Sequence, residues 1–292
     1  MEGLRPAVLM LIAFVGDVHG RVLHAFAALL ELQRRRGVAL DAVVQVGDLG
    51  AYPSVERMDA PSRRFLADHP AEGDFFRLLD PDPGLTAAVE GALERLPPMH
   101  FVSGNHEDFE FLAGIRGGPV DPLGAVRHVP DGTVAELAGQ RVAFLGRVEE
   151  PGYMDLDPDA LATLLAAPPG RADILVTHDG PHGLCTDWQG ATRGSPKLAA
   201  LIDHLQPALH VSGHYHHPNG PRHYGRTVSY ALSELVYPRV NRRRPEHENP
   251  RQRVMPGAIG LYDTGTGAFE LIGDDWLAGV HGDHLDLADF LD

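Results

Sequence analysis

Five short segments carry side chains able to hold metal ions: Gly16-Asp17-Val18-His19-Gly20, Gly47-Asp48, Gly104-Asn105-His106-Glu107, Thr177-His178-Asp179 and Gly213-His214-Tyr215-His216. Carboxylates, imidazoles and an amide oxygen form a mixed N/O donor set that suits Mn²⁺, Fe and Zn²⁺. Asp17 and His19 are two residues apart, so at a strand end both side chains leave on the same side and reach one ion. Taken singly, each segment reads equally well as a turn or as a core histidine. Taken together, each stands at the C-terminal end of an apolar run, and the ordered set reads as one site. Two adjacent divalent ions are a common device for hydrolysing phosphate esters.

The elements that must position these residues are legible as apolar runs. Leu11–Val15, Ala42–Val46, Met99–Val102, Asp173–Val176 and Leu209–Val211 read as buried strands. Arg21–Arg36 carries Val22, Leu23, Phe26, Leu29 and Leu30 at helical spacing and ends in three arginines before Gly37. Cations in a last turn complement the helix dipole, and glycine suits the left-handed cap. The chain therefore opens β-α-β with polar residues at the strand C-termini, the edge where α/β sheets build sites. Residues 51–98 are rich in Pro, Asp and Arg, with a helix expected at Asp74–Leu79, and read as an insertion lying beside the site.

Val126–Val129, Val134–Leu137 and Val142–Leu145 read as a β-meander with turns at Asp131-Gly132 and Gly139. Ser195-Pro196 starts a helix with the stripe Leu198, Leu201, Ile202 and Leu205. Thr227–Leu232 and Ala258–Asp263 read as further strands. Residues 1–273 are expected to form one domain, followed by an acidic tail, 274–292, that is either docked or frayed.

The bulk composition excludes several classes. A net charge of -15 argues against a broad nucleic-acid-binding face, though not against nucleic acid held in a cleft where bound metal reverses the sign. The single cysteine, Cys185, allows no intrachain disulfide and points to a reducing compartment, hence a cytoplasmic location. The apolar run Ala7–Val15 is too short to span a membrane. As a signal peptide it would lose the Asp17/His19 pair on cleavage, so it reads as the first strand.

At these motifs the chain resembles the calcineurin-like metallophosphoesterase superfamily over most of residues 11–216. The resemblance implies a four-layer α/β/β/α sandwich and two divalent metal ions, Mn²⁺ foremost, with Fe or Zn²⁺ as alternatives. Carried over by position, Asp17, His19, Asp48 and His216 would hold one ion. Asp48, Asn105, His178 and His214 would hold the other, with Asp48 bridging. A hydroxide between the ions would attack phosphorus in line. His106, together with Asn105, would contact the phosphate, and His106 would help the leaving group depart, with Glu107 or Asp108 keeping it protonated.

Protein Ser/Thr phosphatases of this superfamily carry an Asp-Arg shortly after the Gly-Asp, and that Arg grips a monoester dianion. Here the continuation is Leu49-Gly50-Ala51-Tyr52, without an Arg. That shifts the expectation toward a phosphodiesterase on nucleotides or nucleic acid. A phosphomonoesterase on nucleotides or small metabolites is the alternative. A non-catalytic scaffold usually lacks ligands, and none is missing here.

Gly47–Tyr52, the insertion, Asp173–Pro181 and Gly194–Pro196 through Pro207 are similar to the RNA lariat debranching enzyme, although Asp17 stands where that family often has Cys. Arg21, Arg193 and Lys197 lie near motifs and read mostly as surface charges. The arginine-rich stretch Asn241–Arg253 reads as a solvated hairpin loop. His182, His217 and His223 are second-tier candidates, and no membrane or protein partner is expected.

Overall fold

A computed structural model describes residues 10–150, 152, 154–186, 189–236 and 253–292. β1 (Leu11–Val15) and β2 (Ala42–Gln45) are buried along their whole length, as strands covered on both faces must be. Between them runs α1 (Val22–Arg36), which ends on Gly37 in the left-handed conformation with its N–H on the Gln33 carbonyl.

The insertion is more helical than its composition suggests. A 3₁₀ turn (Val55–Arg57) precedes α2 (Ala60–Asp68), α3 (Asp74–Leu79) and α4 (Pro83–Leu93). α3 lies where the sequence places a helix. α2 and α4 begin where Asp and Pro suggest a loop, yet these residues are capping devices here. The Asp59 carboxylate accepts from the Ser62 N–H and Asp82 accepts from Leu85, each with a proline in the first turn.

β3 (Met99–Phe101), α5 (Phe109–Ile115), β4 (Gly118–Pro119) and β5 (Val126–His128) follow. Next come β6 (Val134–Leu137), β7 (Gln140–Leu145), α6 (Pro158–Ala166) and β8 (Ile174–Thr177). A small hairpin, β9 (Cys185–Thr186) and β10 (Thr192–Arg193), leads to α7 (Pro196–Leu205) and β11 (Leu209–Ser212). The last strands are β12 (Asn219–Tyr224), β13 (Thr227–Ala231), β14 (Ile259–Asp263) and β15 (Ala268–Leu271).

Two large sheets result, ordered β15-β14-β1-β2-β3-β5-β4 and β12-β13-β11-β8-β7-β6. The expected meander is therefore corrected. Val126–His128 pairs in parallel with β3 in the first sheet, whereas β6 and β7 form a hairpin in the second. The apolar pattern shows three strands but not their partners, and the chain changes sheets between His128 and Val134.

Alternation along the strands sorts side chains into layers. Ile12, Phe14, Val44, Val142, Phe144, Ile174, Val176 and Val211 pack between the sheets. Ala13, Val15 and Val43 face α1, α3 and α4 on one outer side. Leu145 and Leu175 face α6 and α7 on the other. The architecture is a four-layer α/β/β/α sandwich. In α7 the Ser195 side chain caps the start, and Leu198, Leu201, Ile202 and Leu205 are fully buried. Each of these contributes roughly 1.5–3 kcal/mol of transfer free energy. Residues of the acidic tail join the first core through Leu277, Val280, Leu285 and Leu287.

Candidate metal centre

The five motif segments meet where the C-terminal ends of parallel strands from both sheets face each other. β1, β2 and β3 deliver Asp17, His19, Asp48, Asn105 and His106, and β8 and β11 deliver His178, His214 and His216. Closing the two sheets this tightly requires glycine. A Cβ on Gly104 would collide with Asp48 Oδ1, and one on Gly213 would collide with Asp17 Oδ1. Four of the donor residues take left-handed backbone conformations: His19 (φ 47°), Asp48 (φ 55°), His214 (φ 69°) and His216 (φ 57°). Each costs on the order of 1–3 kcal/mol for a non-glycine residue, a strain that persists where surrounding structure fixes it, as at functional sites.

Ligand atoms of Asp17, His19, Asp48 and His216 all lie within 4.8 Å of one another. His216 Nε2 is 3.0 Å from Asp17 Oδ2 and 3.3 Å from His19 Nε2, while His19 Nε2 is 4.0 Å from Asp48 Oδ2. On the other side of Asp48, His178 Nε2 stands 3.4 Å from Oδ2 and 3.0 Å from Asn105 Oδ1. The His214 ring centroid is 5.1 Å from that of His178. All eight residues singled out by sequence thus lie together. Two buried carboxylates and converging imidazole lone pairs fit a divalent cation, whose charge would offset theirs.

Backbone and carbonyl groups fix the donors. Asp48 Oδ1 accepts the His106 N–H at 2.7 Å, and Asp17 accepts the His214 N–H at 3.1 Å. His178 Nδ1 is 3.0 Å from the Val46 carbonyl, which sets the tautomer that leaves Nε2 facing Asp48. His216 Nδ1 lies 3.4 Å from Glu234 Oε2. Burial opposes the charge on Asp48, but His178, His106 and His19 outweigh it and hold the carboxyl well below its ordinary range. Burial pushes the His19 and His214 imidazoles down to about 4, so they stay neutral and keep lone pairs for a metal.

His106 is engaged differently from the sequence expectation. Its Nδ1 lies 2.6 Å from Oδ2 of Asp59, the N-cap of α2 in the insertion. Asp59 also accepts from the buried Tyr52 hydroxyl at 2.8 Å. Burial works against a charged His106, yet Asp48 and Asp59 raise it to about 9. Neither Glu107 nor Asp108 performs this task. Glu107 is turned inward to accept the Leu49 and Ala51 N–H groups at 2.7 and 2.6 Å, bracing the loop after Asp48. Asp108 caps α5 and pairs with Arg57.

Sequence reasoning missed Asp59 and Glu234. Glu234 was findable, as an acid just past β13, a strand parallel to β11 with one face buried. Asp59 carried no signal beyond its cap position.

The other candidates lie elsewhere. Arg21 is buried, with Glu72 at 3.7 Å and Asp283 at 3.8 Å. Lys197 pairs with Glu149 and Asp155, Arg193 is in the small hairpin, and the His182 N–H donates to the Ser195 carbonyl. His223 is exposed on β12, whereas His217 lines the pocket above the centre. Of Asn241–Arg253, residues 241–252 lie outside the described residues, and Arg253 bridges His281. Among the described residues no helix is long and apolar enough to cross a membrane.

One solved structure shares this architecture. This crystal structure aligns with a TM-score of 0.54 at 14% identity, covering 91% of this chain and 99% of its own. TT1561 of Thermus thermophilus aligns at TM-score 0.48 and 18% identity, covering 90% of this chain and 98% of its own. GAP50, the anchor in the inner membrane complex of Plasmodium, aligns at 0.47 and 12%, covering 91% and 89%. No curated protein matches the sequence significantly. The sequence pattern of the calcineurin-like phosphoesterases matches residues 10–218, a span that contains every candidate donor from Asp17 to His216. The chain therefore belongs to the calcineurin-like phosphoesterase family.

Proposed function

We propose that the chain is a dinuclear metal-dependent phosphodiesterase acting on nucleotides or nucleic acid, within the metal-dependent phosphoester hydrolysis of its family. The observation that carries the dinuclear reading is the placement of Asp48 between two donor groups. His19 stands on one side, in the cluster with Asp17 and His216. His178 and Asn105 stand on the other. Divalent cations at these donors would supply Lewis acidity, polarising phosphoryl oxygens and making water acidic enough to attack at neutral pH. Mn²⁺ suits this N/O set, as do Fe and Zn²⁺.

The protein's own contribution centres on His106. With Nδ1 turned to Asp59, Nε2 is the nitrogen left for substrate. A charged imidazole there can donate a hydrogen bond to a phosphoryl oxygen or a proton to the departing alkoxide, the task of a general acid. Asp59 fixes its ring, and Tyr52 and Ser62 fix Asp59.

The diester preference rests on the cations near the site. Arg57 is committed to Asp108 and Glu110, and Arg21 is buried beside Glu72 and Asp283. Neither offers the clamp that a dianionic monoester wants. The similarity of Gly47–Tyr52 and the segment after His178 to the RNA lariat debranching enzyme points the same way.

The test is turnover of bis(p-nitrophenyl) phosphate against p-nitrophenyl phosphate by protein loaded with Mn²⁺. The diester should be preferred. A strong monoester preference overturns the diester reading, and turnover of neither overturns the hydrolase.

A further inference from the structure

A pocket of about 680 Å³ opens directly onto His19, His106, His214 and His216. It is within the size range of sites for small organic ligands. Its far wall is apolar on two sides. Pro61 and Phe65, four residues apart on α2, present one helix face. Val236, Met255 and Pro256 supply the other side, held together by the antiparallel bridge of Val236 with Val254 and by the Met255 N–H on the Leu235 carbonyl at 2.9 Å. Exposed Arg64 lies over the Phe65 ring at 5.4 Å, which braces that ring.

Prolines, a phenyl ring and an adaptable thioether offer wide, flat contact and no hydrogen bonds. A sugar or polyol pressed against those side chains would lose water without replacement partners, and only Ser62, Glu72, Tyr215, His217, Ser233 and Glu234 elsewhere in the lining could hold its hydroxyls. A planar ring would bury its faces there while its phosphate reached the histidines. We infer that this pocket receives the alcohol part of the ester and selects one that carries an aromatic ring of nucleobase size, held by its faces. The inference rests on the phosphoesterase reading and names the substrate class of that site.

Binding tests it without turnover. Methylphosphonate, 2,3-dihydroxypropylphosphonate, benzylphosphonate and 1-naphthylmethylphosphonate share one head group. They would be titrated calorimetrically into the Mn²⁺-loaded protein. The naphthylmethyl compound should bind at least roughly tenfold tighter than methylphosphonate, as burial of a ring's apolar area requires. The dihydroxypropyl compound should gain clearly less than the naphthylmethyl compound. Phe65→Ser, and independently Met255→Ser, should each narrow the naphthylmethyl-to-methyl ratio by about threefold or more. Equal affinity for the polyol and the ring, or ratios unmoved in both variants, would overturn the inference. Parallel assays with p-nitrophenyl esters separate the two readings. Turnover without ring preference sinks the pocket alone, whereas ring preference without turnover sinks the hydrolase and leaves the pocket.

Discussion

The centre has two walls of different origin. One is made of strand ends: Asp17, His19, Asp48, His178, His214 and His216 each follow a buried strand within a few residues, and glycines let the carboxylates approach neighbouring backbone. The other belongs to the insertion, where Asp59 caps a nine-residue helix, Phe65 lies further along that helix and Glu72 lies in a 3₁₀ turn. The strand wall is fixed by two sheets and the packed layer between them, so its geometry is set by the fold itself. The insertion wall reaches the centre through side-chain contacts, Asp59 to His106 and Glu72 to Arg21, while α3 and α4 behind it pack into the first core through Phe75, Leu78, Leu85 and Val89. The first wall suits what every phosphoester reaction needs. The second suits what distinguishes one substrate from another.

The strand wall should break hardest. Asp48→Asn removes the carboxylate that stands between both donor groups, so occupancy of both metals and turnover should fall together, activity approaching background. Elemental analysis alongside rate measurement checks this, and full metal content or full rate would contradict the bridging role. His106→Ala lies at the junction of the walls. It should lower turnover by roughly 10²–10⁴-fold, the range for a lost general acid, while metal content survives.

Asp59→Asn reaches the same chemistry from the insertion side. A residue that orients another typically accounts for about 10–100-fold, so the rate loss should be smaller than for His106→Ala. The diagnostic is the pH profile. Asp48 and Asp59 together raise His106 against the effect of burial. Losing Asp59 lowers that imidazole, and the alkaline limb of turnover should move to lower pH. An unchanged profile would mean that Asp59 only caps α2.

The contrast also explains what could be read in advance. A strand-end donor leaves a local signature, an apolar run followed by Gly and a ligand. The buried β1 and β2 preceding Asp17 and Asp48 were legible for that reason. Asp59 and His106 are 47 residues apart and meet only in the folded chain. No spacing rule connects them, and the two acids nearest in sequence are engaged elsewhere, Glu107 with the Leu49 and Ala51 N–H groups and Asp108 with the start of α5 and Arg57. The meander failed for a related cause. Pairing is a tertiary property, and Val126–His128 found β3 rather than its neighbour in sequence.

The smallest predicted effect concerns the base of the insertion wall. Burial raises the Glu72 carboxyl from its ordinary 4.5 to about 7, with Arg21 opposing that rise. Asp74 is raised in the same way to about 7. The folded protein therefore binds these protons more tightly than the unfolded chain does. Their stabilising contribution is fully present below the unfolded values, declines as pH rises toward about 7, and is flat above. Glu72→Gln removes one of the two titrations while keeping shape, and Arg21 retains Asp283 at 3.8 Å. Between pH 4.5 and 7.5 the wild-type Tm should fall by roughly 2–4 °C more than that of the variant, the shift expected for about 1 kcal/mol in a domain near this size. Identical slopes would show that Arg21 keeps Glu72 ionised throughout, making the insertion wall as permanently tied down as the strand wall it faces.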